Sequence, residues 1–341
     1  MLKAQQEPGN GNLCAQIDAS TRRDVLFVGD TFCDLVFAGV EAPRPGHEVW
    51  ASGFAIALGG VATRAVAAAR LGAGAALLTR LGADPLGNHL AAMLESEPRL
   101  DTTLVETVDG WQTPVSVAIT SEADRSFITY QEPQAAHTLS EAGLDFGAVQ
   151  VSVADGELPL WIAELRRRGA VVYGGVGWDE TGEWSQDIFD RLVNVDVFIP
   201  NEDEALRYTR TDDPVAAAKK LAEHVPLAVV TRGADGVVAV DAVTGSVIEV
   251  PAPRVRAVDP TGAGDVFAAG FIASAAVAQD GEDWSLRDRV RFAALAASIS
   301  VTRLGGASSA PSFDDVVAFA DHFDLDDRAF LDHHQAAIAS R

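Results

Sequence analysis

Short apolar runs alternate with helical stretches along most of this 341-residue chain, and turns rich in Gly or Asp separate them. DVLFVGD at 24–30, AALLTRLG at 75–82, and the runs 148–153, 170–174, 195–199 and 227–231 read as strands. Between them, LGGVATRAVAAARLGA at 58–73 and the stretches 157–168, 184–193, 202–209 and 214–224 read as helices. Strands this short and this continuously apolar are buried on both faces. The alternation therefore predicts an α/β layer fold with a mainly parallel sheet. Apolar residues make up 48% of the chain, enough for a sizeable core.

Two regions break the rhythm. Residues 34–56 and 103–131 tend to alternate apolar and polar side chains and are rich in Val, Thr, Trp and Phe. Antiparallel strands with one wet face read this way, so they are expected to form a small sheet off the main body, as a lid or a dimer surface, or else edge strands of the main sheet. Residues 1–22 are polar with no apolar core of a signal peptide, and 326–341 are polar too; both are expected to be tails.

Charge narrows the partners. With 49 acidic against 26 basic residues the formal net charge is −23, which opposes a nucleic-acid surface or an anionic membrane. A small anionic ligand remains open, because local backbone N–H groups can override the global sign. No run of about 18 apolar residues suggests a membrane span. The two cysteines, Cys14 and Cys33, form no CxxC pair, which fits a reducing cytoplasm.

The stretch AVDPTGAGDVFAAGF, residues 257–271, carries the chemistry. The run from Asp265 onward is apolar and Ala-rich, so a buried helix should open near Gly262-Ala263-Gly264-Asp265. Unpaired N–H groups and the positive end of the helix dipole attract anions there, and glycines let the backbone come close. Asp265 has two readings. It is a good helix starter. It is also a carboxylate within reach of an acceptor hydroxyl beside an anion-binding turn, the arrangement that general-base phosphoryl transfer needs. The chain has no GxxxxGK[ST], no GxGxxG after a first strand, no HExxH and no GxSxG, which disfavours P-loop, dinucleotide, zinc-protease and serine-hydrolase readings.

DPTGAGDVFAAGF resembles the C-terminal signature of the ribokinase-like (PfkB-type) carbohydrate kinases. The resemblance runs in order from Val25 to about Pro311. GDTFCDLVF resembles the end of the first strand with the substrate-binding Asp, here Asp34. GGVATRAVAAARLGA…RLGADPLG is similar to the N-terminal signature, with Gly59, Gly60, Gly72, Gly82, Asp84 and Gly87 in register. PNEDEA resembles the Asn-x-x-Glu element, at Asn201 and Glu204. VVTRGADG and TRLGGASSAP resemble the nucleotide-side turn and the C-terminal loop.

The resemblance implies a three-layer α/β/α kinase domain over 23–325 with a small β lid, ATP and Mg²⁺ as cofactors, a small sugar as acceptor, and a homodimer through the lid. It makes Asp265 the base and the N–H groups of Gly262, Ala263 and Gly264 the anion hole. Asp34, Gly59, Gly60 and Thr63 fall to the acceptor. Thr231, Gly233 and Gly236 fall to the nucleotide, and Asn201 and Glu204 to Mg²⁺, directly or through water. Asp259 and Thr261, with carbonyls from 302–308, are candidates for a K⁺ site. For Asn201 and Glu204 a helix capping box is the competing local reading, and both roles are compatible.

The chain departs from the family at the acceptor. Thr63, followed by Arg64, stands where the signature carries Asn, and Phe32 stands where ribokinases carry a polar Asn. These departures leave the acceptor open. Trp50, Trp111 and Phe32 are candidates for an apolar wall, or for lid core. A nucleoside kinase and a catalytically silent sugar-binding protein on the same scaffold are the alternatives. Arg80, Arg125 and Arg232 near strand ends are expected to make ordinary ion pairs, and His333 and His334 to be solvated.

Overall fold

A computed structural model describes residues 25–40, 43–120, 125–140, 145–154, 156–179, 181–277, 284–322 and 331. The expected tail at 1–22 and, apart from the buried Leu331, that at 326–341, with Cys14, His333 and His334, lie outside the described residues.

Among the described residues the central sheet has ten strands. The parallel set includes β1 (Val25–Val28), β4 (Ala75–Gly82), β9 (Ala148–Ser152), β10 (Val171–Gly175), β11 (Val197–Phe198) and β12 (Leu227–Thr231). It is extended antiparallel by β13 (Val237–Asp241) and β14 (Ser246–Val250). β5 (Leu100–Asp101) and β6 (Val105–Val108) lie parallel to β4. Alternation along each strand builds two cores. Val25 and Phe27 of β1, with Leu227 and Val229 of β12, pack into one. Leu26, Val28, Ala228 and Val230 pack into the other. The result is three layers, α/β/α.

Helices α1 (Val61–Arg70), α7 (Ala263–Val277) and α8 (Leu286–Ser300) cover the first face; α3 (Leu160–Arg167), α5 (Glu202–Thr209) and α6 (Pro214–Leu221) cover the second. Starts follow local chemistry. Asp84 caps α2 (Pro85–Glu95) by accepting from the Gly87 N–H at 2.8 Å, and Asp213 caps α6 from the Ala216 N–H at 2.7 Å, each before a Pro. α7 is apolar all round because it is sandwiched; at Gly270 a Cβ would sit 3.1 Å from the Ala293 Cα of α8.

A separate four-stranded sheet has the order β3 (Gly53–Gly60), β2 (Thr31–Ala38), β7 (Val115–Thr120), β8 (Arg125–Tyr130). The two rhythm-breaking regions supply these strands, except that Val105–Val108 joins the main sheet beside β4. The helix expected over 184–193 shrinks to α4 (Ile188–Arg191) and a 3₁₀ turn, Leu192–Asn194. Asp179 is the reason: its carboxylate accepts from the Thr181 and Trp184 N–H groups and holds a loop there, with Trp184 at φ 51°. Two short helices complete the described elements, α9 (Gly306–Ser309) and α10 (Phe313–His322). No helix among the described residues is long and apolar enough to cross a membrane.

Candidate active site

Three cavities meet at the start of α7. The first, about 300 Å³, lies under the small sheet and is lined by Phe32, Asp34, Thr63, Phe127, Gly262 and Asp265, among others. The second, about 260 Å³, shares Gly262 and Asp265 with it and adds Arg64, Gln150, Asn201 and Glu204. The third, about 670 Å³, shares Thr231, Pro260, Ala263 and Gly264 with the second and runs along Gly233 and Gly236. The 262–265 turn is thus the wall common to a small polar pocket and a long groove, with Asp265 at the pocket end.

The turn is built for this. Gly262 adopts φ 75°, and a Cβ there would stand 2.8 Å from the Gly306 Cα. Asp259, 1% exposed, ties the loop down: one carboxylate oxygen accepts from the Thr261 N–H and the other from the Gly305 N–H, each at 2.9 Å. The neighbouring Thr261 hydroxyl is buried without a hydrogen-bond partner among the described residues. The Ala263 N–H donates to the Pro260 carbonyl at 3.3 Å, so one of the three expected anion donors makes a long internal bond. Asp265 sits in the first turn of α7, where Arg64 Nε donates to its Oδ1 at 2.6 Å.

Asn201 and Glu204 form the capping box. The Asn201 Oδ1 accepts from the Glu204 N–H at 2.9 Å, and the Glu204 Oε2 accepts from the Asn201 N–H at 2.8 Å. Both also line the second cavity, so capping and ligand contact are compatible. Burial pushes the Glu204 carboxyl up to about 7, and the charge of Asp265 adds to the rise.

Asp34 projects from β2 toward the first cavity, and Gly59 makes room for it: a Cβ at Gly59 would overlap the Asp34 carboxylate. Burial raises Asp34 to about 7, with Asp265 and Asp259 adding like charge. Gly60, at φ 62°, opens α1 directly under this pocket. Thr63 lines the pocket, but its hydroxyl donates to the Leu58 carbonyl at 2.9 Å, so its own proton is spent on the backbone.

The aromatic wall is Phe32 with Phe127; Trp50 is 83% exposed, and neither Trp50 nor Trp111 lines the pocket. Arg80 and Arg232 pair with Glu106 and Glu249 at 3.0 and 3.2 Å, while the Arg125 side chain lies outside the described residues. The free Cys33 is buried and its thiol is pushed up to about 11, chiefly by desolvation. Sequence reasoning missed Phe127, Ser116 and Thr129 of the small sheet, Gln150 in the middle of β9 and Gly175 at the end of β10. Arg64 was visible only as the neighbour of Thr63. Among the described residues no cluster of three His, Cys, Asp or Glu side chains could hold a metal ion alone.

The raised carboxyls have a consequence for stability. A folded pKa above the unfolded value means that the native state holds more protons, so the stabilisation is present at low pH and is lost as pH rises toward 7. Asp34→Asn removes one such group. Relative to wild type the variant should gain about 2 kcal/mol between pH 5.5 and pH 8. Urea midpoints at the two pH values check this; parallel wild-type and variant curves would refute the assignment.

A family model described as "pfkB family carbohydrate kinase" matches residues 22–312. The ribokinase of Haemophilus influenzae is 29% identical over 314 residues, covering 88% of this chain and 99% of that protein. The structure of Arabidopsis thaliana ribokinase complexed with ribose and ATP superposes with a TM-score of 0.70 at 24% identity, covering 87% of this chain and 98% of that one. That of Xylella fastidiosa fructokinase with bound ATP gives 0.72 at 23%, covering 89% and 99%. The fold is ribokinase-like.

Proposed function

The chain belongs to the pfkB family of carbohydrate kinases, and from that premise we propose that it transfers the γ-phosphoryl group of ATP to a hydroxyl of a small sugar-like acceptor. The observation that carries this reading is the shared wall: Asp265 and Gly262 border both the acceptor pocket and the second cavity, and Ala263 and Gly264 border both the second cavity and the groove. A nucleotide lying in the groove past Thr231, Gly233 and Gly236 brings its terminal phosphate to the α7 N-terminus. An acceptor held by Asp34 and the Gly59-Gly60 turn presents a hydroxyl to Asp265.

Asp265 takes the hydroxyl proton as the acceptor oxygen bonds to the γ-phosphorus. The bond between that phosphorus and the β–γ bridging oxygen breaks, and ADP leaves with the electron pair. The N–H groups of the Gly262–Gly264 turn stabilise the charge on the transferred group, with Ala263 exchanging its long bond to Pro260 for the ligand. Glu204 and Asn201 fit a Mg²⁺ that keeps several waters, because both put oxygen-bearing side chains on the wall of the second cavity, where the acidic charge of Asp265 and Asp203 beside Glu204 is offset, among the described residues, only by Arg64. Bound Mg²⁺ supplies neutralisation of the phosphate charge. The unpartnered Thr261 hydroxyl beside Asp259 supports a K⁺ at the junction with the 302–308 loop.

Phe32 and Phe127 favour a second reading, a nucleoside acceptor, since an aromatic pair stacks on a base or on the apolar face of a sugar. An ADP-release screen with Mg·ATP against ribose, fructose, 2-keto-3-deoxygluconate, sugar phosphates and nucleosides separates the readings. A sugar hit supports the first and a nucleoside hit the second. No turnover on any acceptor, with ATP still bound, favours a silent binding protein.

The back of the small sheet supports a homodimer. Register places Ile56, Leu35, Val117 and Ile128 in one row of that face, with Phe54, Phe37 and Ile119 in the next. Phe54 is 56% and Ile128 64% exposed. Ile128→Lys should convert a dimer to a monomer in sedimentation velocity without loss of helix content; a wild type that sediments as a monomer refutes the dimer.

A further inference from the structure

Arg64 is the one cationic side chain lining the second cavity among the described residues, in a protein of net charge −23. Asp265 and Glu204 are its acidic neighbours there. Phosphate groups entering this cavity meet a negative surround, and Arg64 is the positive group available to offset it. Its ion pair with Asp265 is part-buried, 22% and 26% exposed, so its opening is offset when a phosphate takes the place of the carboxylate at the guanidinium. The pair also occupies an oxygen of the proposed base, so turnover requires the guanidinium to shift or to share.

A second, independent feature points into the same cavity. Gln150, on β9, is 2% exposed, and neither its Nε2 nor its Oε1 has a hydrogen-bond partner among the described residues. Buried amides without partners are rare and costly, so a group that satisfies this one is expected. Gly175 brings the two side chains together. A Cβ there would lie 3.5 Å from an Arg64 Nη and 3.7 Å from the Gln150 Nε2, so both flank the same bare backbone at the end of β10.

We propose that Arg64 and Gln150 form a second cradle for the transferred phosphoryl group, across the cavity from the Gly262–Gly264 turn. Without nucleotide, Arg64 rests on Asp265. With nucleotide bound, its guanidinium turns to the phosphoryl oxygens, which it meets as a planar fork, and Gln150 donates its amide beside it. Arg64 thereby frees the base at the moment the phosphate arrives. The inference rests on the kinase reading and adds to it a catalytic residue at a position where the resemblance assigned none.

The test is calorimetric titration of the full chain with Mg·ADP, alone and with aluminium fluoride as mimic of the transferred group. Wild type should bind tighter with the fluoride. Arg64→Ala should keep its Mg·ADP affinity within about 3-fold, which also reports correct folding, and lose about 10–100-fold in the fluoride complex. Gln150→Leu should lose less, and Arg64→Lys should recover part of the loss. An Arg64→Ala protein that retains the full fluoride gain overturns the inference and leaves the kinase reading standing, as does one that loses Mg·ADP and fluoride affinity equally. Wild type that binds no Mg·ADP, or gains nothing from fluoride, overturns both.

Discussion

Asp265→Asn is expected to lower kcat by about 10²–10⁴-fold or more while Mg·ATP affinity stays within a few-fold of wild type. The substitution is isosteric. An Asn Oδ1 still accepts from Arg64 Nε, now 2.6 Å from the carboxylate, so the turn and its neighbours keep their places. What is lost is the ability to take a proton from the acceptor. Helix-starting alone predicts the opposite outcome, because Asn serves about as well as Asp at a helix N-terminus. Single-turnover kinetics with nucleotide affinity measured in parallel separates the two. Unchanged turnover would remove Asp265 from the chemistry; lost ATP binding would mean that the carboxylate holds the turn together instead.

The place of Asp265 at the start of α7 was legible in the sequence, because its signal is local: two glycines, a helix start and a carboxylate within a few residues. The layered fold was legible for the same reason. A strand such as Val25–Val28, buried on both sides, has to be continuously apolar, and Asn201 and Glu204 announce the start of α5 by spacing alone. The cavity under the small sheet was less so. Phe127 comes from a strand whose residues are mostly exposed, and only the pairing of β7 with β8 aims it at Asp34 and Asp265. Gln150 looks like one polar residue in a strand until Gly175 and Arg64 are placed beside it. Arg64 meets Asp265 across 201 residues of chain, and no local pattern encodes that contact. Thr63 lines the pocket as its position suggested, but no local pattern showed that its hydroxyl turns to the Leu58 carbonyl. The helix expected over 184–193 failed because one side chain, Asp179, outcompeted helix propensity for the local N–H groups.

Two glycines of the turn make opposite predictions when each is changed to Ala, and the contrast tests the anion site without knowledge of the acceptor. Gly262 sits at φ 75° with the Gly306 Cα 2.8 Å from where a Cβ would go. Gly262→Ala therefore combines backbone strain with a backbone clash and should destabilise the fold by roughly 2–4 kcal/mol, read as a lower urea midpoint. It should also lose activity, because the turn must part from α9. Gly264 has no such constraint. Its backbone is not left-handed, and no atom outside its own helix lies within 4 Å of the place a Cβ would take. Nothing in the protein requires glycine there, so Gly264→Ala should keep the wild-type urea midpoint. A phosphoryl group drawn against the helix N-terminus does require it, since a methyl would hold the ligand off the N–H groups. Gly264→Ala should then lose about 10-fold or more in kcat with its stability intact. Full turnover in Gly264→Ala would mean that the phosphate does not approach this face of the turn, and the anion hole would have to be sought on the Arg64 side of the cavity alone.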